Sequence, residues 1–141
     1  MTSSIKRFNL LIQEENAAYH TISRKLDMTD SAFTVIYIMY ENGGSCPLNE
    51  IIKTTGISKQ TVNSALRRLE ADESVYLERA GGNSKTVHFT EKGRELAEAT
   101  VRKIRDEENA VFDSWTETER EMYFRLTERY AEQMKEIAGK L

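Results

Sequence analysis

The run Lys59-Gln60-Thr61-Val62-Asn63-Ser64-Ala65-Leu66-Arg67-Arg68-Leu69 carries side chains able to read the edges of nucleic-acid bases. Arginine presents two N–H donors that match guanine, and glutamine or asparagine offers the donor–acceptor pair that matches adenine. On a helix turning about 100° per residue, Val62, Ala65, Leu66 and Leu69 share one side. Gln60, Asn63, Ser64 and Arg67 lie opposite them, with Lys59, Thr61 and Arg68 on the flanks. From Ile57 to Leu69 there are three basic residues and no acid, so this face does not repel phosphate. On those grounds Arg67, Gln60 and Asn63 are the candidate base readers, and Ser58, Thr61 and Ser64 can contact bases or phosphates.

A helix of this kind needs elements that present it. Pro47 suits the first turn of a helix over 47–55, whose Leu48, Ile51 and Ile52 form a buried face. Gly56 makes a turn, Ile57 anchors it, and Ser58 caps the next helix, which runs to about Ala71. That spacing is helix-turn-helix. Val75–Arg79 and Thr86–Thr90 then alternate apolar and polar residues and read as two half-buried strands around Gly81-Gly82-Asn83-Ser84-Lys85. Asn83, Ser84 and Lys85 at the tip, with Arg79 at the base, can reach sugar-phosphate or the minor groove. Lys59, Arg68, Arg79 and Lys85 are the candidate phosphate contacts.

The chain of 141 residues is expected to form one domain with a real core. Its net charge of −3 is unevenly spread. From Lys53 to Arg94 eight Lys/Arg face five Asp/Glu, whereas the remainder holds twelve against eighteen. A local basic face on an acidic body is the relevant footprint, because salt screens phosphate attraction beyond about 10 Å. No apolar run approaches membrane-span length, and the N-terminus does not read as a secretory signal. Cys46 is the only cysteine, which fits a reducing cytosol and a cytoplasmic location.

The rest reads as helix. Ile5, Phe8, Ile12, Tyr19, Ile22 and Leu26 mark an amphipathic helix over about 4–26. Asp30 or Thr29 caps an unusually apolar, hence central, helix over about 31–41, which Asn42-Gly43-Gly44 ends. A long helix follows Thr90 to about Ser114, with Leu96, Val101, Ile104 and Val111 inward. A last helix from about Glu117 carries Tyr123, Leu126, Tyr130, Met134, Ile137 and Leu141.

In this order the elements resemble the MarR family of dimeric winged-helix transcription regulators. The resemblance rests most strongly on LNEIIKTTGISKQTVNSALRRLE and VYLERAGGNSKTVHFTEKGREL. It implies a mainly α fold of six helices with a small β-hairpin wing (α+β), in which the helix from Ser58 is the recognition helix and 80–86 the wing tip. Residues 1–28 and 100–141 would be dimerisation helices and 29–99 the DNA-binding lobe. It further implies a homodimer, most simply a repressor, on a pseudo-palindromic operator. Many members carry Asp-x-Arg in the wing, where this chain has Asn83-Ser84-Lys85. Many have Gly where this chain has Glu73; either the backbone there is left-handed, at a cost to Glu of about 1 kcal/mol or more, or the turn is rearranged.

The family often binds small aromatic or phenolic effectors. Tyr19, His20, Tyr37 and Tyr40 are the candidate pocket, with Phe33 and Trp115 as further aromatics, although core packing accounts for most of them. Cys46 is expected to be a packing residue rather than a redox sensor. His20 and His88 lie in different elements, so no metal site and no cofactor are expected. No catalytic constellation is visible, so an enzyme is not expected. The competing reading is a winged-helix protein-interaction module that has lost DNA binding. Retention on random duplex DNA at low salt separates the two.

Overall fold

The computed structural model describes residues 3–141. Two helices open the chain, α1 (Ser4–Lys25) and α2 (Asp30–Glu41). The short strand β1 (Ser45–Pro47) and helices α3 (Leu48–Thr55) and α4 (Lys59–Ala71) follow. Strands β2 (Val75–Gly81) and β3 (Ser84–Phe89) form the hairpin, and α5 (Glu91–Ala99), α6 (Val101–Asp113) and α7 (Glu117–Gly139) complete the chain. By internal contacts the chain divides into a unit up to Lys103 and a unit from Ile104 onward.

The first unit is built around α2. Ala32, Phe33, Val35, Ile36, Ile38 and Met39 are all buried, as expected of a helix apolar on most sides. It packs against α1, α3, α4, β1, β3 and α5. Ile51 of α3, Val62, Ala65, Leu66 and Leu69 of α4, and Val75, Val87 and Phe89 of the hairpin complete the core. The predicted inner side of the helix from Ser58 is therefore the buried side.

Three helices end in the same way. After α1, Met28 N–H donates to Ser23 O at 2.9 Å and Asp27 N–H to Arg24 O at 3.0 Å. After α2, Gly44 N–H reaches Met39 O at 2.9 Å and Gly43 N–H reaches Tyr40 O at 3.1 Å. After α4, Ser74 N–H reaches Leu69 O at 2.9 Å and Glu73 N–H reaches Glu70 O at 3.0 Å. Each is a Schellman closure, which needs a left-handed residue just past the cap. Gly43 supplies it freely, whereas Asp27 and Glu73 adopt it at φ 62 each. The suspected strain at Glu73 is thus present, and the turn is not rearranged.

The sheet has the order β1-β3-β2, all antiparallel. β1 was not expected from the sequence. Three residues ending in proline give no alternation to read, and the pairing partner lies some forty residues away. Pro47 closes this strand and serves as the N-cap of α3 rather than entering its first turn.

The long helix expected over 91–114 is interrupted. Thr100 has φ −124 and ψ −84, and its hydroxyl donates to Leu96 O at 2.7 Å. The same back-bond occurs at Thr21, Thr34 and Thr127 inside unbroken helices, so it accompanies the break and does not alone make it. The six-helix winged-helix architecture is present with this helix broken in two. Val101 is buried, but Val111, expected to face inward, is 53% exposed.

In the second unit, Thr116 and Glu119 form a reciprocal capping box at the start of α7. Arg120 Nη1 donates to Phe112 O at 2.8 Å and to Trp115 O at 2.7 Å, closing the turn between helices. Phe112, Trp115, Tyr123 and Phe124 pack edge-on and tilted around it. No residue of α7 is buried.

Candidate nucleic-acid interface

Helix α4 is set by local chemistry at both ends. Ser58 Oγ accepts from Thr61 N–H at 3.2 Å and lies 2.8 Å from Thr61 Oγ1. Both hydroxyls are therefore engaged in the cap, which orders the first turn of the helix. Ahead of it Gly56 is left-handed at φ 66, and Ile57 N–H donates to Thr55 Oγ1 at 3.2 Å. A Cβ at Gly56 would meet nothing, so the glycine is there for its backbone and not for space.

The polar side of α4 resolves into distinct stripes. Gln60, Ser64 and Arg67 are exposed and point directly away from the core. Thr61 and Arg68 are exposed on one flank. Asn63, placed by the helical wheel among the outermost residues, is only half-exposed and belongs with Lys59 on the other flank. Lys59, Asn63 and Arg67 line one wall of a cleft of about 590 Å³ whose opposite wall is the hairpin tip, Asn83, Ser84 and Lys85. Glu70 is the one acid among its lining residues.

The hairpin presents its cations to the same side. Arg79 lies directly opposite Lys85 in the register, two residues along from the core pair Leu77 and Val87. Side chains two apart on a strand share a face, so both cations extend the α4-facing side of the sheet. Like charges directly opposed repel. No carboxylate of the described residues pairs with either one. A register shift between Arg79 and Gly81 marks a bulge at the tip, where Gly81 and Gly82 have φ 113 and 57. Bulges re-aim side chains at the ends of a ladder.

The outer face of the sheet is held by a group that the sequence reading did not single out. His88 Nδ1 lies 2.7 Å from Ser45 Oγ. Its ring stacks on Tyr76 at 5.0 Å, and Nε2 is 3.9 Å from Glu78 Oε2. Ser45, His88 and Tyr76 are direct cross-strand neighbours, so one imidazole ties all three strands. The alternation in β2 and β3 places Tyr76 and His88 on one face, but without β1 the third member had no visible place.

The hairpin is strapped to the end of α4. Thr90 Oγ1 donates to Glu73 O at 2.6 Å, Thr90 N–H to Ser74 O at 3.1 Å, and Lys92 Nζ to Asp72 O at 2.7 Å. Thr90 also caps α5, its Oγ1 accepting from Gly93 N–H at 3.0 Å. A Cβ on Gly93 would fall 1.9 Å from Ser74 O. The segment Thr90-Glu91-Lys92-Gly93 therefore fixes the wing relative to α4 by two side-chain bonds, one backbone bond and one close backbone approach.

The aromatic candidates do not converge. His20 Nδ1 bonds the Asp30 carboxylate at 2.9 Å, linking α1 to the start of α2. Tyr37 lies against Phe33 at 5.9 Å, and Tyr19 is 40% exposed. Tyr40 lines a cleft with Gly43, Gly44, Phe89, Arg94, Ala97 and Glu98, and the other three are not among its walls. Cys46 is 1% exposed in β1, and burial, with Glu50 nearby, raises its thiol above the ordinary range. Both causes disfavour the thiolate. Among the described residues no three His, Cys, Asp or Glu side chains gather to hold a metal ion, and no helix is long and apolar enough to cross a membrane.

Residues 26–85 match the model of the MarR family. No curated protein matches the chain. Among solved structures, the chain resembles NMB1585, a MarR family regulator from Neisseria meningitidis, with TM-score 0.86 and 16% identity over 99% of each chain. Staphylococcus aureus MepR in its DNA complex aligns with TM-score 0.73 and 21% identity over 94% of this chain and 99% of that one. BpsR of Bordetella bronchiseptica, whose DNA binding is regulated by 6-hydroxynicotinic acid, aligns with TM-score 0.66 and 21% identity over 89% and 98%. At these identities the likeness establishes the fold, and the family match covers the segment that holds α2 to the hairpin tip. The chain therefore has the winged-helix fold of MarR-family structures, and its segment 26–85 matches that family's model.

Proposed function

We propose that this protein is a sequence-specific regulator of transcription that binds duplex DNA as a homodimer, most simply as a repressor. The carrying observation is the cleft between α4 and the wing. Lys59 and Arg67 on one wall and Lys85 on the other, with Arg79 directly across the strand, put four cations around one groove that holds the single acid Glu70. Opposed like charges with no protein counter-ion are stabilised by an anion between them, and a DNA backbone supplies one. Beside the cleft, Gln60, Ser64 and Arg67 point outward as base-edge readers, with Asn63 at the rim. Lys59, Arg68, Arg79 and Lys85 hold phosphates, and the hydroxyls of Ser58 and Thr61 serve the cap before they serve DNA.

The dimer rests on apolar exposure. Met122, Tyr123, Phe124, Leu126, Tyr130, Met134 and Ile137 of α7 are all 42–50% exposed, and Ile5, Leu10 and Leu11 of α1 are 51–55% exposed. Apolar exposure on this scale along a single helix marks an interface. A second copy is the natural occupant, because the family's regulators are dimers whose two-fold matches a pseudo-palindromic site. An aromatic effector is supported by BpsR, whose DNA binding 6-hydroxynicotinic acid regulates.

The test is a contrast between two substitutions on one selected duplex. Arg67→Ala costs about 1–3 kcal/mol and relaxes specificity at one base position. Lys85→Ala weakens all sequences alike and lowers the salt slope by about one. Unchanged binding in both variants would sink this mode of recognition.

A further inference from the structure

Glu70 is the one acid among the residues lining the α4–wing cleft, and it ends a run that carries none from Ile57 to Leu69. No ion pair holds it. Among the described residues it has no cationic partner, although Arg67 stands three residues back and Lys59 and Lys85 line the same cleft. It lies in the last turn of α4, where the helix dipole disfavours a negative charge and favours a cation such as Arg68. Its side chain is exposed, so it fills no core space. An acid that adds nothing to its own helix is explained by what the groove must refuse.

Its place on the helix says what it meets. Three residues after Arg67 and seven after Asn63, Glu70 stands about 60° from the first and about 20° from the second around α4. Side chains three apart are neighbours on a helix surface, with Cβ atoms about 5–6 Å from each other. The carboxylate therefore shares the surroundings of the Arg67 guanidinium without neutralising it in a bond. Two parts of a duplex compete for that guanidinium. A phosphate carries a full negative charge, whereas a guanine edge offers two neutral acceptors, O6 and N7. A carboxylate within the screening distance of about 10 Å repels the first and leaves the second nearly unaffected.

We propose that Glu70 is a specificity-determining residue, which keeps phosphate off Arg67 and so reserves that guanidinium for a base edge. The proposal rests on the DNA-binding reading above, and it adds a repulsion aimed at duplex bound without base contacts. The phosphates are left to Lys59, Arg68, Arg79 and Lys85.

The test measures full-length protein by fluorescence anisotropy at low salt on two duplexes, one of random sequence and one selected as a tight site. Glu70→Gln binds the random duplex about two- to fivefold more tightly than wild type, the scale of one exposed charge interaction. It gains less on the selected duplex, so the ratio of the two affinities falls. Glu70→Ala, which brings no new donor, shows the same pattern, and high salt erases it in both. Glu95→Gln makes the same charge change on the exposed side of α5, outside the cleft, and leaves both affinities unchanged. Wild-type binding of DNA with no gain in Glu70→Gln and Glu70→Ala, an equal gain on both duplexes, or the same gain in Glu95→Gln overturns this proposal alone. Wild-type protein that binds neither duplex removes the regulator reading, and this proposal with it.

Discussion

The lobe around α2 and the terminal helix α7 have similar shares of apolar residues and opposite fates for them. In the lobe, Val35, Ile36, Met39, Ile51, Val62 and Val87 are fully excluded from solvent. In α7, no side chain is buried, although Leu126, Tyr130, Met134 and Ile137 recur at helical spacing. The lobe's residues find partners within the chain through β1, the hairpin and three Schellman turns. Those of α7 have a stripe and no cover within their own unit. Apolar periodicity therefore reports that a face will be buried, not what buries it.

Substitutions sharpen this contrast. Ile51→Ala should cost about 2–5 kcal/mol in chemical denaturation, since the cavity opens in a closed core. Leu126→Glu should leave the lobe's hydrogen-exchange protection intact while shifting sedimentation from dimer to monomer. A Leu126→Glu protein that stays dimeric would break the comparison. Gly93→Ala should cost about 1–3 kcal/mol or more, because the new methyl meets Ser74 O and the wing must move away from α4.

Smaller effects test the helix ends. Glu73→Gly should stabilise the fold by about 1 kcal/mol, and Gly43→Ala should destabilise it by a similar amount, both read from denaturation midpoints. Equal stability of Glu73→Gly and wild type would mean that the left-handed conformation carries no strain. Cys46 should react slowly with thiol reagents in the folded state and rapidly once unfolded, since burial holds the thiol protonated. The smallest effect is at α7. The Thr116 backbone and side chain hold the Glu119 carboxyl below its ordinary value. Its contribution is present above the unfolded carboxylate pKa of about 4.3 and is lost as pH falls through the lowered folded value. Glu119→Gln should remove that part of the acid sensitivity, read as melting temperature against pH.

The helix from Ser58, its Gly turn and the hairpin were legible because each is written within a few neighbouring residues, whereas the left-handed backbone at Glu73 was one of two alternatives that only the family comparison raised. The inward side of α4 followed from Val62, Ala65, Leu66 and Leu69 alone. What was not legible depended on distant contacts. β1 is defined by pairing with Thr86, Val87 and His88, and Ser45 joins the outer face only through it. Asn63, by contrast, is half-covered because it sits about 60° from Leu66 around the helix, a flank position that the wheel itself contains. The break at Thr100, with φ −124 and ψ −84, has no glycine or proline beside it to announce it. Tyr40 drew notice as an aromatic, but the cleft it lines also takes in Gly44 and Arg94, which lie fifty residues apart in sequence.

The central claim is dimeric, sequence-specific recognition of duplex DNA through α4. Selection of bound duplexes from a random pool tests it most directly. The account predicts enrichment of an inverted repeat with half-sites about 10 base pairs apart, protected as one footprint, which Arg67→Ala binds about 1–3 kcal/mol more weakly with selectivity relaxed at one position. A pool that shows no enriched sequence, or a selected site bound equally well by Arg67→Ala, would contradict it.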